Sequence, residues 1–370
     1  AKKGIYTTSD EVLAAISNDD SLSPKIHQFV NGLREIRGYD KELSGYYEPL
    51  PGLICEGSLL HQNINNVATA TGRLSQNQPN LQNMNNKSDL KKTFKSRWGD
   101  NGQILEIDYS QLEVIGLAYS CRDPQLLADL KDGLDMHQQT LDKVKHLLPS
   151  SLSAKEQRRL VKGINFGFLY GGGVAKQSKI TGLPQSVVKK IKKALYDRYP
   201  GIKEWQDANE QAVIKSKVWL HEKSKGGYPI HKGTLRTDTG RIYTFKEYDA
   251  MPWQKASGMD VSFNRSQICN YPIQGFATGD IVPTVIGEVH QMLMASDCRD
   301  TCLMINTTHD SITFDVHNDA LDKLIVKDIM EIMESAPDLL GEIYGINFEL
   351  TLAVEATIGD NLNDQVVIEV

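Results

Sequence analysis

Cysteine is scarce and poorly spaced for metal: Cys55, Cys121, Cys269, Cys298 and Cys302 form no CxxC pair, and Cys298 with Cys302 lacks companion ligands. A structural zinc site is excluded and a reduced setting is expected. No uninterrupted apolar run approaches the roughly twenty residues of a bilayer-spanning helix, and the N-terminus has no apolar signal core. A soluble, cytoplasmic chain with no membrane partner is expected. Positive charge is also short: 41 Lys and Arg face 47 Asp and Glu, for a formal net charge of −6. Taken alone, that balance argues against a phosphate-rich partner. No tandem repeat at a fixed period is visible.

What is present is enough apolar material, 40% of 370 residues, to bury a substantial core over two or three domain-sized units. The cations are unevenly placed. Lys87, Lys91, Lys92, Lys95 and Arg97 form one cluster, and Lys189, Lys190, Lys192 and Lys193 form another. Each could follow a phosphate backbone, although a solvated helix face has the same composition.

Apolar spacing predicts two helices before Tyr47, separated near Ser21 to Pro24, and then a link at Pro49 to Gly52. From Leu59 to Asn86 the chain is rich in Asn, Gln, Thr and Ser, so its order requires an outside partner or many side-chain hydrogen bonds. Gln103 to Asp108 reads as a buried strand, with a helix over Gln111 to Tyr119 behind it. Ser153 and Glu156 have capping-box spacing and start a helix toward Tyr170, which Gly171 to Gly173 stop. Further helices are predicted over Ser186 to Lys217 and Gly279 to Met294, with an irregular region between them. Leu303 to Ile305 and Ile312 to Phe314 flank a short polar turn, as in an antiparallel hairpin with His309 and Asp310 at its tip.

Asp108 and Asp310 are distant in sequence, yet each adjoins a predicted strand, so one sheet could set their carboxylates side by side. Two adjacent anions need cations. Oxygen ligands suit Mg²⁺, and a pair of such ions roughly 4 Å apart can stabilise both the attacking and departing oxygens of a phosphoryl displacement. On the Ser153 helix, Arg158, Lys162, Phe166 and Tyr170 recur every fourth residue along one stripe. Two cations followed by two aromatics match the phosphates, sugar and base of a nucleoside triphosphate.

These residues resemble the motifs of family A DNA polymerases. Thr71-Gly72-Arg73-Leu74-Ser75 with Pro79-Asn80-Leu81-Gln82-Asn83 is similar to the family's primer–template segment, and Asp108-Tyr109-Ser110-Gln111-Leu112-Glu113 to its motif A. Arg158 through Gly171 resembles motif B, and Pro272-Ile273-Gln274-Gly275 and His309-Asp310 complete the set in the family's order. The resemblance runs from about Ser9 to Asp360 and has a phage-type character. It implies an α+β right hand: an antiparallel-sheet palm, helical fingers and a partial thumb. The implied divisions are 1–58 for the thumb, 59–135 for the first part of the palm, 136–262 for the fingers and 263–370 for the second part of the palm.

The resemblance further implies DNA-directed DNA synthesis from deoxynucleoside triphosphates on primer–template DNA. Asp108, Asp310 and the Tyr109 carbonyl would hold two Mg²⁺ ions, for which Mn²⁺ could substitute. Arg158, Lys162 and His137 would hold the triphosphate, with Lys162 also acting as general acid toward pyrophosphate. Phe166 would stack on the incoming base, while Glu113 with Tyr170 would exclude the 2′ hydroxyl. Arg73, Gln82, Asn270, Gln274 and His309 would meet primer–template, some of them at the minor-groove edge.

Three departures stand out. Ser311 stands where many members carry an acid, Arg265 is offset by one place from an expected minor-groove arginine, and the thumb resemblance covers only Thr8 to Leu50. The third leads to an expectation of no exonuclease in this chain and low processivity, the chain being either a fragment or one part of a naturally divided polymerase whose separate polypeptide supplies the remaining thumb and an exonuclease. A phage-encoded version would work in a bacterial host's cytoplasm. The competing readings are a single-subunit RNA polymerase relative, against which Glu113 argues, an idle DNA-binding remnant, and a two-metal nuclease.

Overall fold

The structure, a computed structural model, describes residues 8–17, 19, 21–85, 88–321 and 324–369. Asn86, at the end of the polar stretch, and Lys87, in the first basic cluster, lie outside the described residues. Three antiparallel sheets are formed by β1 (Asn63–Asn65), β2 (Ser75–Asn77), β3 (Gly102–Tyr109), β4 (Val218–Lys223), β5 (Pro229–Arg236), β6 (Ile242–Asp249), β7 (Val261–Phe263), β8 (Cys302–Thr308), β9 (Ser311–His317), β10 (Val354–Gly359) and β11 (Gln365–Ile368). The five-stranded sheet has the order β11-β10-β3-β9-β8 and carries the candidate site. Its β3 is the expected strand, held by buried Ile104, Leu105 and Ile107. The expected hairpin is β8–β9, and His309 in its two-residue turn takes the positive φ, 60°, that primed hairpin turns require.

Helices pack against this sheet in an α+β arrangement. The N-terminal pair is α1 (Asp10–Ser17) and α2 (Pro24–Glu42), extended by a π-helical turn at Leu43–Tyr47. Next come α3 (Leu112–Cys121), almost wholly buried, then α4 (Pro124–Lys131) and α5 (Met136–Val144). The helix α6 (Ala154–Leu169) opens with the expected capping box: Ser153 N donates to Glu156 Oε2 at 2.8 Å, and Glu156 N donates to Ser153 Oγ at 3.3 Å. It ends where Gly171 adopts φ 71°.

After α7 (Val174–Thr181), the predicted Ser186 to Lys217 helix is in fact two, α8 (Gln185–Arg198) and α9 (Pro200–Lys215). Pro200 forces the break, because the residue before a proline is driven out of the helical region, and Tyr199 has φ −126° and ψ 68°. Buried Asp129 secures the corner by accepting from Arg198 Nε at 2.8 Å and Tyr199 Oη at 2.7 Å. Lys189, Lys190 and Lys193 of α8 are exposed, away from its buried Val188, Ile191 and Leu195, whereas Lys192 is half-buried with Nζ 5.4 Å from the centre of the Phe168 ring.

The region expected to be irregular is instead the four-stranded sheet β4-β5-β6-β7. Period-2 burial drives it: Tyr243 and Phe245 of β6 and Leu235 of β5 point inward and pack with Val213, Phe263 and Ile268 as a separate small core. Lysines and threonines between the apolar residues gave that stretch a polar average. The remaining helices are α10 (Pro252–Lys255), α11 (Arg265–Gln274), α12 (Val282–Ala295), α13 (Asn318–Leu321), α14 (Ile325–Glu334) and α15 (Ala336–Tyr344). A buried π-helical turn, Gly275–Ile281, joins α11 to α12, so the helix predicted from Gly279 begins inside it. Among the described residues no helix is long and apolar enough to cross a membrane.

Three distant segments meet without clearance beside this turn. Arg241 donates from Nε to Asp280 Oδ1 at 3.1 Å and from Nη2 to the Gly279 carbonyl at 3.1 Å, while Thr239 Oγ1 donates to Asp280 Oδ2 at 2.8 Å. The guanidinium fills the space where a side chain at Gly72 would stand, and Gly72 itself has φ 81°. A Cβ at Gly279 would lie 2.6 Å from the Thr71 carbonyl oxygen. Gly279→Ala should therefore destabilise the fold by about 1–3 kcal/mol through overpacking. Exposed Gly287, in the interior of α12 with nothing within 4 Å of an added Cβ, should instead gain about 1 kcal/mol as alanine. Chemical denaturation of both variants checks the opposite signs.

Candidate active site

The end of β3 and the β8–β9 turn converge because β3 pairs with β9 in a register that sets Asp108 opposite Ser311, the residue after Asp310. The Tyr109 N–H donates to the Asp310 carbonyl at 3.4 Å, fixing turn to strand. The side chain of Tyr109 turns into the core, where its hydroxyl donates to the Met333 carbonyl at 2.6 Å, so only its backbone is available to the cleft. The two side chains line the same cleft and lie close enough to interact directly. Enclosure in the cleft, then the Asp310 charge, then Glu106 and Glu355, push the Asp108 carboxyl up to about 7. Burial above all also raises Asp310.

Two cavities share Asp108, His309 and Asp310 in their walls. The larger, about 680 Å³, is also lined by Arg73, Glu113, His137, Arg158, Lys162 and Phe166. The smaller, about 260 Å³, is lined by Gln82, Glu106 and Ser311 among others. The predicted stripe on α6 thus opens into the same space as the paired aspartates. Arg158 pairs with Asp135, whose Oδ1 also caps α5 by accepting from His137 N at 2.7 Å and Gln138 N at 2.9 Å. Lys162 Nζ stands 5.8 Å from the centre of the Phe166 ring, which in turn lies 5.6 Å from the Tyr170 ring. The Tyr170 hydroxyl donates to Glu113, joining the two residues expected to act together.

His137 is buried, and its ring sits 5.0 Å from Phe166. Burial, then the charges of Lys162 and Arg158 against an opposing pull from Asp135, lower its pKa to about 4. It is therefore neutral near neutral pH and cannot meet a phosphate as a cation. Its Nδ1 faces the Asn165 amide nitrogen at 3.3 Å, so the ring proton belongs on Nε2, which has no partner and can donate a neutral hydrogen bond.

The expected primer–template residues divide into three groups. Arg73 and His309 are in contact, Arg73 Nη2 donating to Nδ1, and both line the larger cavity. Gln82 lines the smaller one but uses its amide nitrogen on the Leu74 and Thr307 carbonyls, at 3.2 and 3.1 Å. Asn270 and Gln274 share one face of α11 and line neither cavity. Arg265 is engaged by Asp207 at 2.6 Å and by Glu210, in keeping with its offset in sequence. Ser311 donates to Glu106 Oε1 at 2.7 Å.

Sequence reasoning missed Glu106, Asp135 and Asn165. Glu106 had a usable signal, since two residues along a strand from Asp108 is the same face. The other two act through contacts between helices that only the fold creates.

The donor set fits hard divalent cations: two carboxylates in contact, with oxygen atoms only. Among the described residues no three His, Cys, Asp or Glu side chains are gathered closely enough to hold a metal. Mg²⁺ commonly takes one or two carboxylates and completes its shell with water and substrate phosphate.

Comparison with known proteins adds three results. The family model described as DNA polymerase family A matches residues 1–364. Curated relatives include DNA polymerase I of Rhizobium leguminosarum, 27% identical over 90% of this chain and 30% of the relative. They also include the DNA polymerase of Bacillus phage SP01, 27% identical over 95% of this chain and 37% of the relative. This chain spans about a third of the length of these relatives. The polymerase domain of Pol1 from M. smegmatis, solved in complex with DNA primer–template and dNTP, superposes with a TM-score of 0.70 at 19% identity, covering 98% of this chain and 57% of that one.

The carboxyl pair has a signature in stability. Because the folded pKa of Asp108, about 7, lies above its ordinary 3.8, the folded chain binds the proton more tightly. In chelator, stability should then fall as pH rises from about 4 to about 7 and level off above. Asp108→Asn should abolish that slope and melt higher than wild type near pH 8. Mg²⁺ should raise the wild-type midpoint near pH 8 but not near pH 5, where protons hold the pair. Identical melting profiles for variant and wild type would rule out the coupled pair.

Proposed function

We infer that this chain, which belongs to DNA polymerase family A, extends a primer 3′ end with deoxynucleotides on a template strand. One observation carries the reading: Asp108 and Asp310 both line a cavity that Arg158, Lys162 and Phe166 also line, and both line a second, smaller cavity. The larger cavity takes the nucleoside triphosphate and the smaller receives the primer terminus.

Asp108, Asp310 and the Tyr109 carbonyl would hold two Mg²⁺ ions, with Mn²⁺ able to replace them. When bound, these ions lower the charge of the triphosphate and stabilise the entering and departing oxygens. Arg158 leaves Asp135 for the phosphates, and Lys162 stands beside it. Neutral His137 donates from Nε2 to a phosphate oxygen. The primer 3′ hydroxyl gives up its proton to water as its oxygen bonds to the α-phosphorus and the bond from that phosphorus to pyrophosphate breaks, and Lys162 gives its own proton to the leaving oxygen. Phe166 stacks on the incoming base. Glu113, held by Tyr170, occupies the space a 2′ hydroxyl would need.

Arg73 and His309 meet primer–template beside the site. Asn270 and Gln274 do so along α11, and Gln82 does so only through its free carbonyl oxygen. The palm, fingers and thumb divisions at 58, 135 and 262 belong to the same proposal. So does work in a bacterial cytoplasm.

Incubation with primer–template DNA, Mg²⁺ and four deoxynucleoside triphosphates should lengthen the primer. A shortened or unchanged primer would overturn the reading in favour of a nuclease or an idle binding module. Asp108→Asn and Asp310→Asn should each lower the extension rate by about 10³-fold. Glu113→Ala should raise ribonucleotide incorporation by about tenfold or more, scored as alkali-labile product, while deoxynucleotide extension persists.

A further inference from the structure

The polar stretch from Leu59 onward is ordered by its own side chains, and their partner is the stem of the catalytic hairpin. β8 is an edge strand, so the carbonyls on its outer side lack a neighbouring strand. A bulge between Met304 and Asn306 displaces Ile305 from the ladder. Three glutamines occupy that edge. Gln62 Nε2 donates to the Ile305 carbonyl at 2.8 Å, Gln82 Nε2 donates to the Thr307 carbonyl at 3.1 Å, and Gln76 Nε2 reaches both the Thr307 carbonyl at 3.0 Å and Asn306 Oδ1 at 2.6 Å. Gln76 is 5% exposed and Asn306 9%, so the pair is nearly dry. From there Thr307 Oγ1 donates to the Ser311 carbonyl at 2.9 Å, tying the stem across the turn that holds Asp310.

An apolar pair of similar size would cover the edge equally well, but it would not fix the direction of the Thr307 peptide. Buried amides do, because their hydrogen bonds are directional and an unpaired one is costly in a dry site. We propose that Gln76 and Asn306 are positioning residues: the amide clasp between them sets the stem of the His309–Asp310 turn, and hence the place of the Asp310 carboxylate, from the segment on which primer–template lies. That segment has a second hold on the same turn, through Arg73 and His309. The inference rests on the polymerase reading given above.

Reach provides the test. Gln76→Asn shortens one arm of the clasp by a methylene, Asn306→Gln lengthens the other, and the double swap restores the span with both amides kept. Single-turnover extension at saturating substrate should slow by about tenfold or more in each single variant, since ångström-scale misplacement of a reacting group costs up to about 10²-fold. Primer–template affinity and apparent nucleotide affinity should stay within about twofold, and the swap should return to within about threefold of wild type. Single variants with an undiminished rate would overturn the proposal, as would a loss shared equally by primer–template affinity, or a swap no better than the singles. Where a single variant is too unstable to assay, the swap decides alone: near wild-type rate supports the clasp and a tenfold loss overturns it. Wild type that extends primers while Gln76→Asn matches it removes only the clasp; wild type that extends none removes the polymerase reading beneath it.

Discussion

Two carboxyls in contact share a negative charge that neither can hold comfortably in a partly enclosed cleft. Either a proton or a cation must lie between them. Burial in the cleft, and then the Asp310 charge, push the Asp108 pKa up to about 7, and the surrounding fold keeps the pair from relaxing apart. β3 lies between β9 and β10 in the sheet, the turn is tied back through Tyr109 N, and Ser311 is anchored on Glu106. An open loop would let the charges separate. Here the separation is opposed by backbone pairing on both sides of β3.

The second half of the site is organised by exchange of partners. Arg158 is already charge-paired with Asp135, and Asp135 is itself held at the start of α5, so in the proposed function a triphosphate draws the guanidinium away by offering more charge than one carboxylate. His137 contributes differently. Its burial beside two cations keeps it neutral, which leaves a directional donor without a further positive charge in a crowded pocket. Glu113 and Tyr170 come from α3 and the end of α6, so the wall they form registers how those helices sit together.

Much of this could be seen in the amino acids. Ile104, Leu105 and Ile107 announce a strand running into Asp108, Ser153 and Glu156 announce the start of α6, and the every-fourth-residue stripe holds in space. The sheet at 218–263 was obscured because its inward residues alternate with lysine, threonine and glutamate, which a windowed reading averages into a polar loop. Pro200 divides a helix whose apolar spacing carries straight through it. The glutamines at 62, 76 and 82 gave no sign of their partner, since a β8 edge exists only after the five-stranded sheet has formed. Asn270 and Gln274 fell on one helical face as their spacing requires, yet what that face meets lies beyond the described cavities.

The close meeting of Thr71–Gly72, Arg241 and the Gly275–Ile281 turn limits how the molecule can change shape. Segments with no room between their backbones can turn about the shared point but cannot slide past it. The Thr71–Gly72 backbone, Arg241 and the turn are thus held as one unit, so a displacement of any one carries the other two with it.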